Sequence, residues 1–107
     1  MIVIGGDAIV DLIDRGQRLF EASPGGSTLN CALTSGHLGS DVLYVSTLSR
    51  DAYGDLLVAR LQECHVILRA DARSDACSSL AVICLDEANQ PSYAFYREGT
   101  ADREIPV

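Results

Sequence analysis

The order of segments along this sequence predicts an α/β fold with parallel strands. Within residues 1–6 and 25–70, apolar runs and amphipathic stretches alternate as strand, helix, strand, helix, strand. Such an order gives parallel strands joined by right-handed crossover helices. Strand patterns within 8–22 and 79–97 instead follow one another without a helix, which predicts hairpins. The chain has 107 residues, 48% of them hydrophobic, and is long enough for one modest core.

The first 22 residues are predicted to supply one buried strand and one hairpin. Residues 1–6 form a short apolar run that ends in two glycines, which is typical of a buried strand. The segments 8–13 and 18–22 have the pattern of short strands, and the Asp-x-Gly turn between them suits a hairpin. A dinucleotide-binding loop is disfavoured after the first strand, because G-x-G-x-x-G is absent and no helical pattern follows.

The segment from Ser23 to Ala32, with the sequence Ser-Pro-Gly-Gly-Ser-Thr-Leu-Asn-Cys-Ala, predicts a sharp turn followed by a helix. Its proline and glycine pair favour the turn, and Ser27 or Thr28 is expected to cap the helix. This helix is predicted to run from residue 28 to about residue 37, with Gly39 as its C-terminal stop.

The middle of the chain is predicted to supply the remaining strands and the second helix of the α/β order. Residues 41–47 and 65–69 have the apolar pattern of buried strands, and Asp51 is predicted to cap a helix that ends near Glu63. Three residues share one face of that helix: Tyr53, Leu57 and Leu61.

The remaining residues are predicted to form a polar irregular stretch and then two strands. Residues 71–77 have no periodic pattern. Residues 79–85 and 92–97 have strand patterns, separated by the turn-rich segment 86–91.

Composition excludes several classes of protein. A net charge of −7 argues against nucleic acid or an anionic membrane surface as the main partner. All 8 basic residues are arginine, so no P-loop or Schiff-base lysine exists. The start lacks the features of a signal peptide, and no stretch approaches a membrane span. The 4 cysteines contain no C-x-x-C pair, so we expect no metal site, reduced thiols and a cytoplasmic location.

The glycine turn and the start of the first helix have the chemistry of a site for a hydroxylated ligand. Gly25 and Gly26 leave backbone N–H groups uncovered by side chains, so a ligand can approach the main chain closely. Asn30 offers one carbonyl acceptor and two amide donors, which match adjacent sugar hydroxyls. Taken by itself, however, such a segment more often marks a tight strand-to-helix turn with a partly buried asparagine.

Asp11 is a second candidate binding residue. It lies inside an apolar run and shares a strand face with Ile9 and Ile13, where a carboxylate is costly unless it has a partner or meets a ligand. Sugar hydroxyls are good donors to such a group. The alternative is an aspartate on an edge strand that faces water.

The strand 92–97 places an aromatic residue beside an arginine. Its period of two puts Tyr93, Phe95 and Arg97 on one face. A ring next to a guanidinium gives an apolar wall with planar donors, which suits a sugar ring with a hydroxyl-rich or anionic edge. The alternatives are a packing contact for Phe95 and a surface salt bridge for Arg97.

Other polar residues receive less specific interpretations. Asp7 follows a strand end, where α/β sheets place ligand groups, but its role is not assigned. The acidic residues of the tail are expected to be solvated: Glu98, Asp102 and Glu104. The two histidines, His37 and His65, are expected to be packing or surface residues.

Taken together, these motifs resemble the ribokinase-like (PfkB) carbohydrate kinases. The first family signature is matched by five residues: Gly25, Gly26, Asn30, Ala32 and Gly39. Residues 45–54 are similar to a second block, which keeps Asp51 and Gly54 but has Ser46 and Ser49 at glycine positions, and Thr28 also departs from the pattern. The run Phe95-Tyr96-Arg97-Glu98-Gly99-Thr100-Ala101-Asp102-Arg103 looks like the fructokinase branch.

This resemblance implies a Rossmann-like α/β/α layered domain with a small β-sheet lid that closes over the sugar. The core α/β residues would lie within 1–6 and 25–70, and the lid strands within 8–22 and 79–97, all in one incomplete domain. In many family members the lid also forms a dimer interface, so a homodimer through the lid sheet is expected.

The resemblance also implies an ATP- and Mg²⁺-dependent sugar kinase, most similar to fructokinase. Sugar contacts would fall on six residues: Asp11, Gly25, Gly26, Asn30, Phe95 and Arg97. The family's catalytic base lies in a Gly-Ala-Gly-Asp turn that this sequence lacks, so the chain is expected to be an N-terminal, inactive part that binds no nucleotide. Two alternatives remain: a 2-keto-3-deoxygluconate kinase or ribokinase relative, and a non-catalytic sugar-binding or assembly module.

Overall fold

The α/β prediction is confirmed by the fold of the chain. A computed structural model describes residues 1–69 and 71–104. The strands are β1 (Ile2–Ile4), β2 (Ile9–Asp14), β3 (Phe20–Gly25), β4 (Val42–Tyr44), β5 (Leu48–Ser49), β6 (Ile67–Leu68), β7 (Arg73–Ser74), β8 (Ser79–Leu85) and β9 (Pro91–Tyr96). The helices are α1 (Ser27–His37), α2 (Ala52–Glu63) and a 3₁₀ turn at Ala101–Arg103.

The core is built on a parallel sheet of three strands in the order β1-β4-β6. Strand β4 lies in the middle, and its Val42 and Tyr44 are fully buried. Four helix residues pack into the same apolar cluster: Leu29, Ala32, Leu57 and Leu61. Val3 and Ile67 are both paired with Leu43, so they point to the opposite face of the sheet from Tyr44. They are 62% and 48% exposed, and burial is therefore concentrated on the face that the helices cover.

A second sheet of four strands stands apart from the core sheet, and we call it the lid. Its order is β3-β2-β8-β9, with antiparallel pairs at both sides and a parallel pair β2–β8 in the middle. The hairpin between β2 and β3 is confirmed, and β2 also pairs in parallel with β8, the first strand of the second hairpin. A third, smaller sheet consists of the parallel pair β5–β7.

Strand β3 extends beyond the predicted limit at residue 22. Pro24 and Gly25 are paired with Val10 and Ile9 instead of forming the predicted sharp turn. Proline is tolerated here because β3 is an edge strand whose free side needs no N–H donor. The turn is thus confined to Gly26, which has φ of +96°.

The predicted serine or threonine cap of α1 is wrong. Gly26 is the N-cap, and no side chain caps this helix. The Thr28 hydroxyl instead donates to the Asp7 carbonyl at 2.9 Å. The predicted stop at Gly39 is confirmed, because this residue has φ of +94° and its N–H donates to the Gly36 carbonyl.

The predicted strand at 41–47 is shorter than expected, because β4 ends at Tyr44. The Ser46 hydroxyl bonds to the N–H and the carbonyl of Gly6, at 2.6 and 2.7 Å, and so replaces a regular strand pairing. The stretch 71–77, predicted to be irregular, contains the short strand β7, which pairs with β5.

The cap of α2 by Asp51 is confirmed. Its Oδ1 accepts from the Gly54 N–H at 2.7 Å and from the Ser78 hydroxyl, and its Oδ2 accepts from the Ser78 N–H at 2.8 Å. Burial acts to raise the pKa of Asp51, but hydrogen bonds from Ser78, Gly54 and Ser49 outweigh it and hold the pKa below its ordinary value.

Replacing this cap should destabilise the fold in a pH-dependent way. We expect Asp51→Ala to lower the free energy of unfolding by roughly 1–3 kcal/mol at pH 7, because α2 loses its cap and Ser78 loses its acceptor. A lowered pKa gives stability that is present above the unfolded value and is lost as pH falls through the folded value, so the difference should shrink below about pH 4. Urea unfolding monitored at several pH values measures both effects.

The matched control is Glu87→Ala, which removes a carboxylate from an exposed turn. It should change the free energy of unfolding by less than about 0.5 kcal/mol. Equal losses for the two variants would contradict the role of Asp51.

Candidate functional site

The candidate site lies on one lid face where β2 and β3 leave the core. Asp11 on β2 is paired with Ser23 on β3 and with Ala81 on β8. A Cβ atom at Gly25 would lie 2.7 Å from both carboxylate oxygens of Asp11. Only glycine therefore leaves room for this carboxylate beside the main chain.

The carboxylate of Asp11 is electrostatically unusual. The side chain is half-buried, and desolvation by burial raises its pKa above the ordinary value. No cation or hydrogen-bond donor among the described residues offsets this cost. A ligand that brings hydroxyl donors would satisfy the group without requiring it to lose its charge.

Gly26 and Asn30 begin helix α1 next to Asp11. A Cβ atom at Gly26 would lie 2.9 Å from the Asp7 carbonyl oxygen, and the positive φ of this residue also favours glycine. The Asn30 N–H donates to the Gly26 carbonyl at 3.0 Å and so forms the first turn. The Asn30 side chain is exposed in that turn, not partly buried as in the alternative interpretation.

Phe95 lies on the Asp11 side of the lid, but two strands away. Ala81 is paired with Asp11 on one side and with Phe95 on the other, so the three side chains share one face. With neighbouring strands about 4.8 Å apart, Asp11 and Phe95 are separated by roughly 10 Å. The Phe95 ring is 60% exposed and stacks on Tyr93, with ring centroids 6.3 Å apart.

Arg97 is drawn back to the start of the lid by an ion pair. Its Nη2 donates to Asp7 Oδ1 at 2.5 Å, which links residues 90 positions apart in the sequence. Arg97 thus forms a salt bridge, as in the alternative interpretation, although its own side chain is only 27% exposed. Asp7, whose role the sequence left unassigned, is the residue that holds it.

Asp102 is a further polar residue whose place the sequence did not indicate. It was expected in a solvated tail, but its carboxylate accepts from the Ala8 N–H and from the hydroxyls of Ser79 and Thr100. Glu104 likewise accepts from the Ser74 hydroxyl at 2.7 Å. These contacts join distant segments, so no local pattern could have revealed them.

A cavity of about 410 Å³ lies along the end of β9. Phe95 and Arg97 contribute to its wall, together with Leu80 and Tyr96. The cavity wall includes residues from both faces of the lid but none of Asp11, Gly25, Gly26 and Asn30, so this cavity is separate from the surface around the glycine turn. The structure therefore brings together Asp11, Gly25, Gly26 and, through Asp7, Arg97, whereas Phe95 lies farther along.

Within residues 1–69 and 71–104, no group of three His, Cys, Asp or Glu side chains is arranged to hold a metal ion. In the same part of the chain, no helix combines the length and apolar character needed to cross a membrane. All four cysteines are free thiols.

Comparison with known proteins gives concordant matches. The family described as "pfkB family carbohydrate kinase" matches residues 1–106. The fructokinase of Rhizobium leguminosarum bv. trifolii is 32% identical over 109 residues, covering 98% of this chain and 33% of the relative. The chain thus spans about a third of the length of this curated relative.

Two solved structures agree with these matches. Fructokinase with bound ATP from Xylella fastidiosa superposes with a TM-score of 0.84 at 30% identity, over 94% of this chain and 34% of that one. Fructokinase from Vibrio cholerae O395, in a form with fructose, ADP and calcium bound, gives 0.79 at 27% identity, over 98% and 34%. The chain belongs to the pfkB family of carbohydrate kinases and corresponds to the N-terminal part of its fructokinase-like members.

Proposed function

We propose that these residues form the sugar-binding part of an ATP-dependent carbohydrate kinase that phosphorylates a hydroxyl of fructose or a closely related sugar. The observation that carries the proposal is the half-buried Asp11 carboxylate, which lies against Gly25 and has no partner in the described part of the chain to offset its burial. Its neighbours on α1 and the lid are those expected around a hydroxyl-rich ligand. The similarity to fructokinases along nearly the whole chain favours fructose over the other sugars.

Each proposed contact has a simple chemical role. Asp11 accepts hydrogen bonds from sugar hydroxyls, and Asn30 supplies an acceptor and donors in the first turn of α1. Gly25 and Gly26 allow the ring to approach the backbone. Phe95 forms an apolar wall on the lid, and Arg97 donates from its guanidinium.

These residues orient the sugar but do not complete the reaction. Phosphoryl transfer needs a base for the acceptor hydroxyl and donors for the transferred group. ATP supplies the phosphoryl group and Mg²⁺ neutralises its charge when they are bound. The 107 residues contain no Gly-Ala-Gly-Asp turn, so we propose that base and nucleotide contacts come from other residues and that the 107 residues alone transfer no phosphate. The proposal includes a cytoplasmic location.

Binding of D-fructose tests the site directly. In NMR titrations of the ¹⁵N-labelled chain, fructose should shift the amides of Asp11, Gly25, Gly26 and Asn30. Asp11→Asn should weaken binding about tenfold or more, because a charge-assisted acceptor is lost. Since the pKa of Asp11 is raised, fructose binding should also weaken as pH falls, beginning above the range where an ordinary aspartate is protonated.

Stability separates this effect from damage to the fold. A carboxyl with a raised folded-state pKa makes the fold less stable as pH rises, so Asp11→Asn should leave the free energy of unfolding at pH 7 unchanged or increased. The control Asp41→Asn, at an exposed position, should alter neither quantity. Wild-type fructose affinity in Asp11→Asn would contradict the proposed site.

Catalysis is tested with the chain alone and with a chimera. Purified 107-residue chain should show no fructose-dependent ATP turnover, because the base is missing. A chimera that carries these residues in place of the matching third of the Rhizobium leguminosarum bv. trifolii fructokinase should phosphorylate fructose, and Asp11→Asn in it should lower turnover at least about tenfold. A chimera that binds ATP but phosphorylates no sugar would contradict the function, and turnover by the chain alone would contradict its inactivity.

We further propose that the lid pairs with the lid of a second copy. All six residues of the edge strand β9 are exposed, and Tyr96 projects from the face opposite Asp11. Sedimentation equilibrium should find a dimer that Tyr96→Lys converts towards monomer while fructose binding is retained. Leu38→Lys, a change of similar kind at the exposed end of α1, should leave the dimer intact. A wild-type monomer at high concentration would overturn this proposal.

A further inference from the structure

The ion pair between Asp7 and Arg97 holds the Arg97 guanidinium in a partly buried position. The side chain of Arg97 is only 27% exposed, while that of Asp7 is 50% exposed. One nitrogen of the guanidinium, Nε, is buried and has no hydrogen-bond partner among the described residues. The position of the guanidinium is therefore determined chiefly by its contact with Asp7.

Asp7 is itself held by several contacts from the core. The Ser46 hydroxyl accepts from the Gly6 N–H at 2.6 Å and donates to the Gly6 carbonyl at 2.7 Å. The hydroxyls of Thr28 and Tyr44 both donate to the Asp7 carbonyl, at 2.9 and 3.3 Å. Three hydroxyl side chains from α1, β4 and the following loop thus immobilise the backbone from which the Asp7 carboxylate projects.

The hydroxyls of Thr28 and Ser46 both fasten the same Gly6–Asp7 turn. Their common structural effect is to hold in place the backbone that carries the carboxylate facing Arg97.

The ion pair changes the charge that a ligand meets. Asp7 compensates the charge of Arg97, and Asp11 beside Gly25 contributes a further carboxylate. The Arg97 Nη2 already donates to Asp7, so the guanidinium cannot offer all of its N–H donors to an anionic group. A ligand carboxylate or phosphate would meet net negative charge here, whereas neutral hydroxyls would meet acceptors and remaining donors.

We propose that Asp7 is a specificity-determining residue that positions and neutralises Arg97, so that the site selects a neutral, hydroxyl-rich sugar over an anionic one. This inference rests on the proposed sugar-binding function. Asp7 acts through Arg97 and through charge, not by transferring a proton or phosphate.

The same chain contains a matched ion pair that serves as a control. Arg73 Nη2 lies 2.7 Å from Asp55 Oδ1, with side-chain exposures of 29% and 67%. The Arg73 Nε is likewise buried and has no hydrogen-bond partner within residues 1–69 and 71–104. This pair joins α2 to β7, away from Asp11 and the glycine turn. Removing the Asp55 carboxylate therefore breaks a similar ion pair but leaves the candidate site unchanged.

The test compares two probes that differ in one functional group. 2-Keto-D-gluconate is D-fructose with the C1 carbon oxidised to a carboxylate, so it adds a negative charge to the same carbon skeleton. We expect the wild-type 107-residue chain to bind fructose more tightly than 2-keto-D-gluconate in NMR titrations. Asp7→Asn should reduce this preference about tenfold, while Asp7→Glu, which keeps the charge, should retain most of it.

Two further measurements separate the charge effect from general damage. Asp55→Asn should leave the preference unchanged. In the wild-type chain, raising the salt concentration should narrow the preference, because an electrostatic penalty is screened; this holds even if Asp7→Asn does not fold.

The outcomes distinguish a failure of the inference about Asp7 from a failure of the proposed sugar-binding function. If the wild-type chain binds fructose but Asp7→Asn keeps the full preference, or if salt has no effect, the inference about Asp7 is overturned and the sugar-binding function stands. If the wild-type chain binds neither probe, the proposed function itself fails.

Discussion

The arrangement depends on the polar contacts that fasten the lid to the core. Among the described residues, the chain crosses between the two layers four times, at residues 5–8, 25–26, 75–78 and 97–100. The carboxylate of Asp102 links three of these crossings, since it accepts from Ala8, from Thr100 and from Ser79, which directly follows the third crossing. Thr28 ties the remaining crossing to Asp7, and Asp51 ties Ser78 to the start of α2. A four-stranded sheet is thereby held at one end and left free along its outer strands.

This attachment explains why Gly25 and Gly26, two of the proposed binding residues, lie at the base of the lid. Gly25 and Gly26 lie at the crossing into α1, where the main chain must pass close to the Asp11 carboxylate and to the Asp7 carbonyl. A Cβ atom at either glycine would collide with these groups, so the close packing requires glycine at both positions. In the proposed function, the same lack of a side chain lets a ligand approach the main chain closely.

Local sequence rules predicted those parts of the structure that local physics determines. The hairpin, the cap at Asp51 and the stop at Gly39 follow from residues a few positions apart, and all three are confirmed. The sequence also pointed to Asp11 as a candidate binding residue, because a carboxylate within an apolar strand needs a partner or a ligand. The sequence did not reveal that α1 begins at Gly26 without a side-chain cap, because Thr28 is used by the Asp7 carbonyl instead.

The pairing of Arg97 with Asp7 was beyond local rules for a different reason. The two residues are 90 positions apart, and their meeting depends on how β9 returns to the end of β1. Asp102 is a partly buried acceptor for the same reason, although its surroundings in the sequence suggest a solvated tail. Side chains that connect crossings of the chain carry no periodic signature, so they are found only once the topology is known.

Under the proposed function, binding and catalysis depend on different residues. The candidate site offers acceptors, donors, an apolar wall and a compensated arginine, which are means of holding and orienting a neutral sugar. Interactions of this kind accelerate transfer only as far as they place the reacting hydroxyl correctly for a base and a phosphate-stabilising group. The proposed action of Asp7 through Arg97 would therefore affect which sugar is accepted more than how fast an accepted sugar reacts. Selection and chemistry could then be varied separately, because the proposed base is not among these residues.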